Sequence, residues 1–165
     1  MLLASLGMSW VAVTIQGYRR QRDAARAIKE AGGHVIWRKK PPALAILLRD
    51  NSLRDVFAVN FVETEATDAS LQHLEALTGL RNLVIRGQKV TDAGIAHLKG
   101  LHQLDCLILD CPNVTDAGLT FLQGFHQLTL LGLNHTKVSD EGVKILQRAL
   151  PECEISRDRI PPVEH

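Results

Sequence analysis

The chain has 165 residues, 45% of them hydrophobic and 22% charged, with 19 Lys and Arg against 18 Asp and Glu. That length fits one domain, and the composition excludes a wholly disordered or collagen-like chain. Three cysteines are too few, and odd in number, for a disulfide scaffold, and a formal net charge of +1 gives no global attraction for nucleic acid.

The small net charge conceals two opposite halves. From Tyr18 to Arg54 there are ten Lys and Arg against three Asp and Glu, and from Asp55 to His165 nine against fifteen. No charged side chain precedes Tyr18. Residues 1–18, MLLASLGMSWVAVTIQGY, lie at the short end of what a membrane helix needs. Arg19, Arg20 and Arg22 follow at once, and Trp10 and Tyr18 suit an interface. The segment is therefore expected to be a transmembrane or anchor helix that leaves the remainder membrane-associated on the cytoplasmic side. The alternative is a core-packing helix of a cytoplasmic protein.

Residues 19–55 read as a basic N-terminal cap. Tyr18 to Ala31 is rich in Ala and Arg and is expected to be helical, with Ala24, Ala25, Ile28 and Ala31 as its apolar stripe. Gly32 and Gly33 stop it. His34 to Arg38 alternates as a short strand, Pro41 and Pro42 break the chain, and Ala43 to Leu48 restarts as a short apolar helix. The basic run from Arg19 to Lys40 suits a flank facing anionic lipid or a solvated helix. It lacks the aromatics and reading motif of a nucleic-acid surface, so no nucleic acid is expected.

A repeat dominates the rest. Ala66-Thr67-Asp68, Val90-Thr91-Asp92, Val114-Thr115-Asp116 and Val138-Ser139-Asp140 recur every 24 residues. Ser70, Gly94, Gly118 and Gly142 share one column, and Leu74, Leu98, Leu122 and Leu146 another. Upstream, Val59, Leu83, Leu107 and Leu131 align, as do Phe61, Ile85, Leu109 and Leu133. Within each copy the period changes from strand-like alternation to helical spacing. Thr67, Thr91, Thr115 and Ser139 are N-cap residues on this reading, and each following Asp lies at the positive end of the helix dipole. One strand and one short helix cannot bury a core alone, but stacked copies can.

The pattern Leu-x-x-Leu-x-Leu-x-x-Thr-x-Val-Thr-Asp-x-Gly-Leu, clearest from Leu128 to Val138, resembles a leucine-rich repeat of the short bacterial, ribonuclease-inhibitor-like and F-box types. The resemblance implies an α/β leucine-rich-repeat solenoid of four copies plus a closing strand over residues 56–157, with Ile155 on the Leu83 column and a polar tail at 158–165. It departs from the family where Asn or Cys is usual, since Thr64, Gln88, Pro112 and Thr136 stand there. No F-box is recognisable upstream, so ubiquitin-ligase function does not carry over.

In such a solenoid the outward strand residues line a concave face. The expected binding residues are Asn82, Val84, Arg86, Cys106, Ile108, Asp110, Leu130, Asn134 and His135. Val84, Ile108 and Leu130 form an exposed apolar patch there, with Arg86, Asp110, Asn134 and His135 as its polar rim. A non-enzymatic module binding an unidentified protein follows, and a membrane-tethered spacer without ligand is the alternative. A metal-binding or enzymatic protein is a weaker one. His73 with His97, and His102 with His126, are one period apart, but zinc needs three or four ligands. Phe121 and Ile145 continue the His73 column, which suggests a half-buried helix position. Cys106, Cys111 and Cys153 form no CxxC, and no GxGxxG, P-loop or HExxH occurs. No catalytic residue, metal site or cofactor is therefore expected.

Overall fold

The computed structural model describes residues 2–38, 55–62 and 66–157. A long helix, α1 (Leu2–Glu30), leads through Gly32, at φ 86°, into strand β1 (His34–Trp37). Then follow β2 (Val56–Phe61), α2 (Asp68–Gln72), β3 (Asn82–Arg86), α3 (Asp92–Ala96), β4 (Cys106–Asp110), α4 (Asp116–Leu119), β5 (Leu130–Asn134), α5 (Asp140–Ala149) and β6 (Glu154–Ser156). Single 3₁₀ turns extend α2 and α4. The fold is mixed α/β.

The six strands form one sheet in sequence order. β1 runs antiparallel to β2, and every other pair is parallel. Each parallel pairing joins residues one sequence period apart: Ala58 to Asn82, Asn82 to Cys106, Cys106 to Leu130, Leu130 to Glu154. The spacing read from the sequence is thus the strand register.

Alternation divides the sheet into two faces. Val59, Phe61, Leu83, Ile85, Leu107, Leu109, Leu131 and Leu133 point into one continuous core. Leu71, Leu74, Ile95, Leu98, Leu119, Leu122 and Leu146 meet them from the helical side. Ala24, Ala25 and Ile28 of α1 join the same core, and the helix packs against β1, α2 and the turn that extends α2.

Residue 18, where the composition changes, is no structural boundary. α1 runs unbroken across it, and no described helix is long and apolar enough to cross a membrane. The segment expected as a transmembrane or anchor helix thus belongs to α1 from Leu2 onward. Ser5, Ser9, Thr14 and Gln16 dilute the apolar run, and arginines follow within the same helix. The expected helix at Ala43 to Leu48, the Pro41-Pro42 break and the tail at 158–165 lie outside the described residues.

A carboxylate ladder joins the helical turns. Asp68 accepts the backbone N–H and the hydroxyl of Thr91, at 2.8 and 2.7 Å. Asp92 does the same to Thr115, at 2.8 and 2.7 Å, and Asp116 to Ser139, at 2.7 and 2.6 Å. Thr91 and Thr115 also cap their own helices through the N–H two residues on, and Ser139 through that of Gly142. The glycine column follows from this ladder. A Cβ at Gly94, Gly118 or Gly142 would stand 2.3, 2.5 or 2.2 Å from Oδ1 of the preceding Asp.

Both ends of the ladder differ as the geometry requires. In the first copy Ser70 stands where the later copies have glycine. Ser70 instead closes a capping box with Thr67. After the last copy there is no further Thr, and the Arg157 guanidinium donates to Asp140.

Candidate functional site

The second sheet face, away from the helices, carries three outward rows. The first is Ala58, Asn82, Cys106 and Leu130, the second Asn60, Val84, Ile108 and Gly132, and the third Arg86, Asp110 and Asn134. A depression of about 200 Å³ opens over β1 to β4, lined by Ile36, Ala58, Asn60, Asn82, Val84, Arg86, Cys106 and Ile108 among others. Five of the nine expected binding residues are therefore gathered at one depression. Leu130, Asp110, Asn134 and His135 lie on or just beyond β4 and β5 and do not line it.

Two expectations about exposure are corrected. Ile108 is 2% exposed, and the apolar patch does not include it as an open surface. It sits mid-sheet, paired with Val84 on one side and Gly132 on the other. Val84 and Leu130 are half-buried. Asn134, expected on the polar rim, is 3% exposed. Alternation tells which face a residue takes, not how far its neighbours cover it.

The polar groups on this face are partly coupled. His135 Nδ1 donates to Asp110 Oδ1 at 2.8 Å, and Arg86 Nε lies 3.9 Å from Asp110 Oδ2. His135 holds φ at 51°, a left-handed backbone uncommon outside glycine. Among the described residues, three buried polar side-chain atoms remain without a hydrogen bond: Asn60 Oδ1, Arg86 Nε and Asn134 Oδ1. Each such atom costs a fold about 1–3 kcal/mol. All three belong to this one face.

The thiols are poor nucleophiles. Burial pushes Cys111 up to about 12 and Cys153 up to about 11, and it raises Cys106 with help from the charge of Asp105. Cys111 also donates weakly to the Ile85 carbonyl at 3.6 Å, which ties the end of β4 to β3. Asn113 Nδ2 donates to the Gln88 carbonyl at 2.7 Å. These two bonds, on either side of Pro112, tie the end of β4 and the residues after it to β3 and the residues after it.

Among the histidines, His97 Nδ1 lies 2.7 Å from Glu75 Oε1. Phe121 and Ile145, in the His73 column, are 39% and 47% exposed, more open than the half-buried position expected there.

Sequence reasoning missed Ile36 as a lining residue. The alternation of His34 to Arg38 carried the signal for Ile36, but only the pairing of Ile36 with Ala58 brings it to the depression. No protein-family model and no curated protein matches this chain.

Proposed function

We propose that residues 56–157 form a leucine-rich-repeat solenoid whose outer strand face binds a protein partner without catalysis. The observation that carries this reading is the collection of three unpartnered buried polar atoms at and beside an apolar depression on one sheet face. A second sheet face with no ligand would be expected to saturate its buried polar groups or replace them with apolar ones. Register supports the solenoid part, because the same side chains recur across β2 to β5 at one spacing. Parallel strands hold outward groups at fixed separations, so binding orders little chain.

The test is affinity capture from native lysate with the wild type and with an Arg86→Glu, Val84→Glu, Leu130→Glu variant, both shown folded by circular dichroism. A partner lost only with the folded variant supports the face as the binding surface. A partner retained by the variant moves the site to the cap or helices. Absence of any partner favours a spacer without ligand.

A further inference from the structure

We propose that α1 docks on an anionic lipid surface through a stripe of four cations, Arg19, Arg22, Arg26 and Lys29, where they meet the uncharged first half of the helix. The inference is independent of the outer sheet face.

α1 is one continuous helix from Leu2 to Glu30. Its buried residues, Ala24, Ala25 and Ile28, all lie in the C-terminal half. Steps of three and four residues place Arg19, Arg22, Arg26 and Lys29 along one line, turned away from those three. The line runs about 15 Å along the axis. All four side chains are exposed, and among the described residues none of them is held in an ion pair. Asp23 and Glu30 flank the line on one side only.

Ile15, four residues before Arg19, continues the same line into residues 2–18, which carry no charged side chain. From Val13 to Asp23 no residue of α1 is buried, and Val13 is 65% exposed. A surface that satisfies this helix must offer dense negative charge beside an apolar phase. An acidic protein segment or a polynucleotide supplies the charge alone. A bilayer with anionic headgroups supplies both. No described helix is long and apolar enough to cross a membrane, but a helix lying in the interface needs only one apolar side.

The probe is full-length protein sedimented with vesicles of phosphatidylcholine containing about 30% phosphatidylserine, against vesicles of phosphatidylcholine alone. Each cation near an anionic surface strengthens binding about fivefold, so the mixed vesicles should be preferred at least about a hundredfold. About 0.5 M salt should abolish most of that preference. The combined Arg19→Gln, Arg22→Gln, Arg26→Gln, Lys29→Gln variant should lose the preference. The Lys99→Gln, Lys137→Gln, Lys144→Gln, Arg148→Gln variant makes the same charge change on the repeats and should keep it. Circular dichroism and urea melts establish that both are folded. Ile15→Ser, which leaves the charges in place, should weaken vesicle binding about tenfold and leave binding to polyglutamate unchanged.

Absence of sedimentation with the mixed vesicles, equal binding to both vesicle types, or an equal loss in both four-site variants would each overturn the proposal. Polyglutamate bound as tightly as the mixed vesicles, with Ile15→Ser without effect on either, would assign the stripe to an acidic protein instead.

Discussion

The Asp92 carboxylate accepts both the backbone N–H and the hydroxyl of Thr115, at 2.8 and 2.7 Å, and its Oδ1 occupies the space a Cβ on Gly118 would need. One side chain thus stitches α3 to the start of α4 and forbids a side chain two residues beyond its partner's helix start. The Asp68–Thr91 and Asp116–Ser139 pairs repeat the arrangement. The Thr-Asp-x-Gly motif is a lateral joint between successive copies as well as a helix start.

This joint predicts a strong coupling. Asp92→Ala should cost about 1–3 kcal/mol, because two hydrogen bonds to a charged acceptor are lost. Gly118→Ala should also destabilise, by about 1–3 kcal/mol, despite a helix-propensity gain of about 1 kcal/mol. In the double variant the added methyl no longer meets the carboxylate, so the combined cost should fall well short of the sum. Urea melts of the four proteins measure the cycle. Gly124→Ala is the control, since nothing lies within 4 Å of a Cβ built there, and it should be neutral or stabilising. Additive costs would refute the joint.

Acid should loosen the same joint. The Ser139 hydroxyl and backbone N–H, in that order, hold the Asp116 carboxyl below its ordinary value. A depressed folded-state pKa stabilises the fold above the unfolded pKa and loses that contribution as pH falls through the folded value. The window is therefore below about pH 4. Ser139→Ala should lower the urea midpoint at pH 7 and flatten its fall from about pH 4 downward. An unchanged pH slope in the variant would remove Asp116 from the acid response.

The strand registers, the N-caps and the core columns were legible because a fixed period turns a local pattern into a long-range pairing rule. Leu83, Leu107 and Leu131 need only be counted to be placed side by side. The second role of Asp92 was not legible, since an acidic residue at a helix start is already explained by the dipole. Only the lateral distance to Thr115 reveals it. α1 runs unbroken across residue 18. A change from apolar to basic composition alters the surroundings a helix suits, but it breaks no backbone hydrogen bond. At the candidate site, the face of each residue was legible, but the burial of Ile108 and Asn134 was not. Burial depends on neighbouring strands and on how closely they crowd.

Cysteine chemistry gives a separate check. Cys111 and Cys153, pushed up to about 12 and about 11, carry almost no thiolate at pH 8. Cys106 is also raised but is half-exposed at the depression. Iodoacetamide at pH 8 should label Cys106 first and slowly, and the other two only after denaturation. Mass spectrometry of tryptic peptides resolves the order. Rapid labelling of Cys111 in the folded protein would contradict its burial against the Ile85 carbonyl.

The final prediction concerns how far a defect spreads. Each strand touches only its neighbours in the sheet, so stability should be distributed along the stack. Leu107 in the middle and Ile28 in the cap helix are both fully buried. Replacing either with Ala should cost about 2–5 kcal/mol locally. The consequences should differ. Loss of Leu107 removes core contacts between copies on both sides and should lower protection from hydrogen exchange across β3, β4 and β5 together. Loss of Ile28 loosens α1 over Phe61 and should raise exchange in β1 and β2, leaving amides of β5 and α5 near their wild-type rates. Hydrogen exchange read by mass spectrometry separates the two patterns. Uniform acceleration in Ile28→Ala would mean that the cap and the distant strands open as one unit, and that the stack is more cooperative than its nearest-neighbour contacts imply.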